Sequence, residues 1–197
     1  VKAVVNITTD KCYQNREWVW PYREEEPMGG YDPYSSSKAC SELVTAAYRT
    51  SFFNPDNYLQ HGVAVATVRA GNVIGGGDIA KDRLMPDLIR SFYGNGPAVI
   101  RNPDSLRPWQ HVLDPLNGYL TIGKMLTQNK QLGCAYNFGP AEDSKLNVEK
   151  MAEIACSLWG NNASYLIKSN PKQPPESKLL WLSSERALQD LSWSNKL

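Results

Sequence analysis

Tyr34 and Lys38 stand four residues apart in the run Tyr34-Ser35-Ser36-Ser37-Lys38. On a helix, side chains at that spacing share a face. An ammonium beside a phenol favours the phenolate and lowers a pKa that starts near ~10. A tyrosine so tuned can take the proton of a sugar hydroxyl while a cofactor takes hydride from the same carbon. Read alone, the pair also suits a solvent-exposed tyrosine and lysine. A second group is Thr9-Asp10-Lys11. Thr9 can donate a hydrogen bond to a substrate oxygen. Asp10 and Lys11 offer an acid and a base if their surroundings set the two pKa values suitably, or else a charge pair on a surface turn.

These groups need elements to hold them. Residues 1–8 are β-branched and apolar on both faces, which predicts a central parallel strand covered on both sides. It ends at Thr9-Asp10-Lys11, and catalytic groups collect at the carboxyl ends of strands in open α/β sheets. The acidic run Glu24, Glu25, Glu26 reads as a solvated loop. Asp32-Pro33 marks a helix start, with aspartate as cap and proline in the first turn. The helix should span about 33–51, with Leu43, Ala46, Ala47 and Phe53 near its inner face. Residues 63–70 read as a second buried strand, ended by the glycine-rich stretch 71–78. A helix beginning at Pro86 runs through Leu88, Ile89 and Phe92 to Gly94. Short strands are expected at 98–101 and 109–113. Asp114-Pro115 repeats the cap-and-proline signal before a stripe of Leu116, Tyr119, Leu120 and Leu126. A strand at 135–138, a helix capped by Asn147 through Leu158, a strand at 164–167, a proline-containing loop at 169–178 and a short helix around Leu188 complete the chain.

Alternating strands and helices predict an α/β protein: part of a Rossmann-like doubly wound parallel sheet, then a smaller mixed α/β substrate-binding unit. The boundary is expected after Gly77, giving 1–77 and 78–197. Gly71, Gly75, Gly76 and Gly77 follow a strand, but no clear helix follows them, so they do not match the G-x-G-x-x-G dinucleotide turn. The chain has 197 residues, 42% hydrophobic and 21% charged, with a net charge of +1. That balance gives no reason to expect a nucleic-acid or membrane surface. No apolar run approaches the roughly 20 residues of a membrane span, and the apolar start lacks the flanks of a signal peptide. Cys12, Cys40, Cys134 and Cys156 are scattered and, with two histidines, cannot complete a zinc set. They read as reduced, mostly buried thiols of a cytoplasmic protein.

Four motifs together identify a resemblance. T-D-K at 9–11, Y-S-S-S-K at 34–38, R-A-G-N-V-I-G-G-G-D at 69–78 and R-P-W-Q-H-V at 107–112 resemble the extended short-chain dehydrogenase/reductase family of nucleotide-sugar-modifying enzymes. The similarity runs from Val1 to about Trp193 and is greatest to the 4,6-dehydratases. T-D-K also occurs in UDP-N-acetylglucosamine dehydratases, the dTDP-glucose enzymes usually carry T-D-E, and R-P-W-Q-H-V tilts the substrate towards CDP-glucose. The resemblance implies NAD as cofactor and CDP-glucose as partner. Tyr34 would deprotonate the 4-hydroxyl, and Lys38 would tune the tyrosine and hold the nicotinamide ribose. Thr9 would bond the 4-oxygen, Asp10 would protonate the departing 6-hydroxyl and Lys11 would take the C5 proton. Arg69, Ala70 and Val73 would lie by the nicotinamide. Asn72 would meet substrate oxygens, or serve as a turn residue beside Gly71. Arg83 and Arg107 would meet the diphosphate through their planar forks, or be surface charges. His111 would bond a substrate group, or make a structural hydrogen bond in its strand. Glu176 would reach the nucleotide. The helix from Tyr34 to Ser51 would pack against its copy in a homo-oligomer. The family's L-x-x-S-K-A…L-G-W ending is altered here to Leu182-Ser183-Ser184-Glu185-Arg186-Ala187 and Leu191-Ser192-Trp193. The resemblance further implies roughly 100 residues before Val1, including the strand–turn–helix that cradles the pyrophosphate. Two other readings stay open: an epimerase or different dehydratase of the same fold, and a non-catalytic nucleotide-sugar-binding or assembly fragment.

Overall fold

The structure, a computed structural model, describes residues 1–141, 144–168 and 179–197. Its strands are β1 (Ala3–Ile7), β2 (Ala64–Ala70), β3 (Val73–Ile74), β4 (Ala98–Ile100), β5 (Leu106–Pro108), β6 (Gln110–His111), β7 (Ala135–Phe138), β8 (Lys145–Asn147) and β9 (Tyr165–Ile167). Its helices are α1 (Pro33–Ser51), α2 (Tyr58–His61), α3 (Leu84–Tyr93), α4 (Leu113–Leu126), α5 (Val148–Trp159) and α6 (Glu185–Leu191).

β1, β2 and β7 form a parallel sheet with β2 in the middle, in a register that sets Val5 beside Ala66 and Val68 beside Tyr136. All seven residues of β2 are buried, as its uninterrupted apolar pattern requires. β1 differs from expectation. It is an edge strand among the described residues, and Val4 and Ile7 are 40% and 54% exposed. Its sequence suits cover on both faces, whereas β2 is its one partner among these residues.

α1 has the expected bounds. Asp32 caps it by accepting the Ser35 amide at 3.0 Å, and Pro33 occupies the first turn. Its inner face is not the expected one. Ser35, Ala39 and Glu42 are buried, while Leu43 and Ala47 face outwards and Ala46 and Phe53 are half-buried. The physical reason is that hydrogen bonds, rather than apolar contacts, close this face against the sheet. Asn6 Nδ2 donates to Ser41 Oγ at 3.1 Å and Thr45 Oγ1 at 2.8 Å, and the Thr8 hydroxyl donates to Glu42.

α4 also departs from its sequence pattern. Asp114 does not cap it. Its carboxylate is buried and accepts the Lys196 amide at 3.0 Å and the Leu197 amide at 3.4 Å. The face turned to the sheet carries Pro115, Gly118, Ile122 and Leu126, while Leu116 and Leu120 are exposed. A Cβ at Gly118 would lie 2.3 Å from the Phe138 ring, so the missing side chain lets α4 sit close on β7. Gly118→Ala should therefore lower stability by about 1–3 kcal/mol through overpacking, read as a fall in thermal midpoint.

A second core joins Leu88 and Phe92 of α3, Ala98 and Ile100 of β4 and Ala152 of α5, with Tyr165 of β9 against it. Asn147 caps α5 as expected, accepting the Lys150 amide at 2.7 Å. Ile122 and Leu126 of α4 and Ala187, Leu191 and Trp193 near the end of the chain pack on the three-stranded sheet, whose third strand is β7, so that sheet and its core draw on residues beyond Gly77. Two readings of local charge and polarity need correction. Glu24 is buried rather than solvated, since its carboxylate accepts the Asn137 amide at 2.9 Å. The four cysteines are free, but Cys40 is exposed and Cys12 is the buried one. No helix among the described residues is long and apolar enough to cross a membrane.

Candidate functional site

The carboxyl ends of β1 and β2 and the first turn of α1 meet at a cleft of about 710 Å³. The backbone leaves β1 into a tight turn, Asp10–Cys12, started by Thr9. The Thr9 hydroxyl accepts the Lys11 amide at 3.5 Å and donates to Asp10 Oδ1 at 2.8 Å. Asp10 is 5% exposed. Burial pushes its carboxyl up to about 6, against the opposing pull of the Thr9 hydrogen bond and the charges of Lys11 and Arg107. Space for that carboxyl depends on Gly71 at the end of β2, where a Cβ would lie 3.2 Å from Asp10 Oδ2. Lys11 is exposed at the cleft.

Tyr34 projects from the first turn of α1 and is 53% exposed. The Lys38 ammonium lies 5.8 Å from the centre of its ring, as one helical turn allows. Thr9, Asp10, Lys11, Tyr34, Asn72, Val73, Arg83 and Arg107 all line the cleft. Asn72 also fixes β3 against β6, its carbonyl accepting the Gln110 amide at 3.2 Å. Arg83 pairs with Asp78 at 3.3 Å, and Arg107 donates to the Leu106 carbonyl at 3.0 Å.

Four expected residues lie elsewhere. Lys38 stands one turn behind the cleft wall and is half-buried. Ala70 is buried within β2. His111 accepts the Leu113 amide on Nδ1 at 3.3 Å, the structural use of that ring. Arg69, expected beside the cofactor, is 3% exposed and turned towards α1. There its guanidinium grips Glu42 at 2.9 and 2.7 Å and donates to the Tyr13 hydroxyl at 2.6 Å and the Glu24 carbonyl at 3.0 Å. Those four bonds occupy most of its donors. Glu176 lies outside the described residues.

Among the cleft residues that sequence reasoning passed over are Asp32 and Trp109. Asp32 was read as a cap but also lines the cleft, and hydrogen bonds from Ser35 hold its carboxyl below the usual range. Trp109 lines the cleft as well. The first was open to discovery, since a cap two residues before Tyr34 must sit at the same helix end. Taken together, the cleft holds a phenol, a buried acid whose pKa is raised to about 6, an exposed amine and a hydroxyl donor. That set can move protons on and off adjacent carbons of a polyol.

Residues 1–139 match the family described as Epimerase: NAD dependent epimerase/dehydratase family. The chain is 56% identical over 194 residues to the CDP-glucose 4,6-dehydratase of Salmonella typhimurium, covering 98% of this chain and 54% of that protein. It is 30% identical to the dTDP-glucose 4,6-dehydratase of Streptomyces griseus, over 82% of this chain and 45% of that one. The chain thus spans about half the length of these curated relatives. In three dimensions it superposes on a dTDP-glucose 4,6-dehydratase from Streptomyces venezuelae, solved with NAD and TYD bound. The TM-score is 0.80 at 21% identity, covering 100% of this chain and 56% of that one.

Proposed function

The chain belongs to the NAD dependent epimerase/dehydratase family, and on that premise we propose that the whole protein converts CDP-glucose to CDP-4-keto-6-deoxyglucose with NAD as an internal hydride carrier. The observation that carries this reading is the convergence of Thr9, Asp10, Lys11 and Tyr34 on one cleft. The 56% identity to the Salmonella CDP-glucose 4,6-dehydratase supports the choice of substrate.

The residues present fit the nicotinamide-ribose end of the dinucleotide. Tyr34 stands at the cleft with Lys38 one turn behind it on the same face of α1, and the pair would hold the ribose hydroxyls. Bound NAD would supply the acceptor for the C4 hydride and its return to C6. The chain's own groups supply the proton chemistry. Tyr34 takes the 4-hydroxyl proton, with the Lys38 charge beside its ring, and Thr9 donates to the same oxygen. The resulting 4-ketone acidifies C5–H, and Lys11, exposed to the cleft, takes that proton. Asp10 gives its proton to the 6-hydroxyl, which leaves as water. Reprotonation at C5 completes the turnover, and the proton gained by Tyr34 balances the one Asp10 releases. Asn72, Arg83 and Arg107 would bind the sugar and its diphosphate from the facing wall.

Asp10 favours dehydration over 4-epimerisation, because an epimerase has no departing hydroxyl to protonate. The exposed Leu43, Val44, Tyr48 and Phe52 along α1 would pack on a second copy. The four free cysteines agree with a cytoplasmic enzyme.

The full-length protein should be incubated in turn with CDP-, UDP- and dTDP-glucose and the products weighed by mass spectrometry. Loss of one water from CDP-glucose, fastest among the three, is the expected result. A change of sugar configuration with no loss of mass would mark an epimerase and end this reading.

A further inference from the structure

A buried ionic cluster lies behind the cleft and touches none of the reacting groups. Glu42, on α1, and Arg69, on β2, are each 3% exposed and joined by two hydrogen bonds. Burial works against the Glu42 charge, but Arg69 outweighs it and holds the carboxyl below its usual range. Around the pair, the Thr8 hydroxyl donates to Glu42. The Tyr13 hydroxyl accepts from Arg69 at 2.6 Å and donates to Asn137 Oδ1 at 2.8 Å. Thr8 and Tyr13 flank the turn that carries Thr9, Asp10 and Lys11, one on each side. Glu42 is one helical turn beyond Lys38 and two beyond Tyr34.

Resting on the proposed function, we infer that the Glu42–Arg69 pair is a positioning device that sets the catalytic end of α1 against the Thr9–Asp10–Lys11 turn. Apolar packing is non-directional and lets a helix slide or rotate by fractions of an ångström. α1 turns a polar face to the sheet, so its register is fixed by bonds with defined lengths and angles. A buried hydrogen-bond network of this kind rigidifies what it joins. Stability alone does not explain the pair, since apolar residues of similar volume commonly replace a buried ion pair without loss. The placing of the phenol relative to the Thr9 hydroxyl and the Asp10 acid is what the cluster maintains.

The test uses the full-length enzyme and the paired substitution Glu42→Met with Arg69→Met, which leaves no lone buried charge. Three quantities are measured: kcat and KM with CDP-glucose, the thermal midpoint, and hydrogen exchange of peptides covering residues 9–13 and 34–38. The inference expects a folded protein with KM within about threefold of the parent, kcat down roughly 100-fold as for an ångström-scale misplacement, and faster exchange in those two peptides but not in α3 or α5. A folded double variant with kcat within about threefold of the parent, or with parental exchange in both peptides, overturns it. If the double variant does not fold, Thr8→Val with Tyr13→Phe decides, because it removes only two hydroxyls. A kcat loss of roughly tenfold with faster local exchange supports the inference, and parental values on both overturn it. A parent that dehydrates no nucleotide sugar sinks the proposed function instead, and the exchange result then judges the clamp by itself.

Discussion

Replacing Tyr34 by phenylalanine should lower kcat by roughly 10²–10⁴-fold, the usual worth of a positioned general base. The fold should not notice. The ring is 53% exposed, its Lys38 neighbour lies over the ring, and phenylalanine keeps that ring. KM for CDP-glucose and the thermal midpoint should therefore stay close to the parental values. Deuterium exchange sharpens the test. C5–H becomes acidic only after C4 is oxidised, so substrate recovered from the Tyr34→Phe enzyme in D₂O should carry no deuterium at C5. Label at C5 in that variant would show that another group removes the 4-hydroxyl proton.

Asp10→Asn should cost a similar factor in dehydration, on the order of 10²–10⁴, but for a different step. Oxidation and C5 exchange would persist, so recovered substrate should gain deuterium while water loss stops. The pH dependence carries a second signature. An acid with a carboxyl at about 6 is in its active form below that value, so the parental elimination rate should decline as pH rises through 6. The stability effect has a definite sign. The folded-state value lies above the ordinary 3.8, so the folded protein binds this proton more tightly than the unfolded chain. The stability so gained is fully present below pH 3.8 and is lost as pH rises through 6. The two-unit shift corresponds to about 3 kcal/mol. Asp10→Asn should accordingly be more stable than the parent at pH 8 and nearly equal to it at pH 4, by urea denaturation. Equal stability at both pH values would show that the carboxyl is not held in a low-dielectric site.

The parts of this molecule that announce themselves locally were legible in the sequence. Asp32-Pro33 marked the start of α1 and Asn147 that of α5, because capping is a contact between residues two or three apart. The continuous apolar run of β2 and the Thr9–Lys11 terminus of β1 were equally plain. What was hidden depended on partners distant in the chain. Pattern reading assigns apolar residues to the inside, so Leu43 and Ala47 were turned inwards on α1. The sheet in fact receives Ser41, Glu42 and Thr45, whose partners are 27 to 39 residues away. Arg69 followed a motif towards the cofactor, yet its guanidinium is taken up by Glu42 and Tyr13, 27 and 56 residues away in the chain. Asp114 wore the signature of a cap and instead holds backbone 82 and 83 residues downstream. In each case an ionisable side chain was sequestered by groups that no short window contains.

Asp32 carries one more implication. Exposed amides at the start of a helix attract phosphate, and α1 begins at the mouth of the cleft. Its own carboxylate already occupies that end, taking the Ser35 amide and hydroxyl at 3.0 and 2.5 Å. An incoming pyrophosphate would meet a like charge there rather than vacant donors. In a bound nucleotide sugar the diphosphate would thereby be turned away from the tyrosine end, leaving the uncharged hexose to face the phenol.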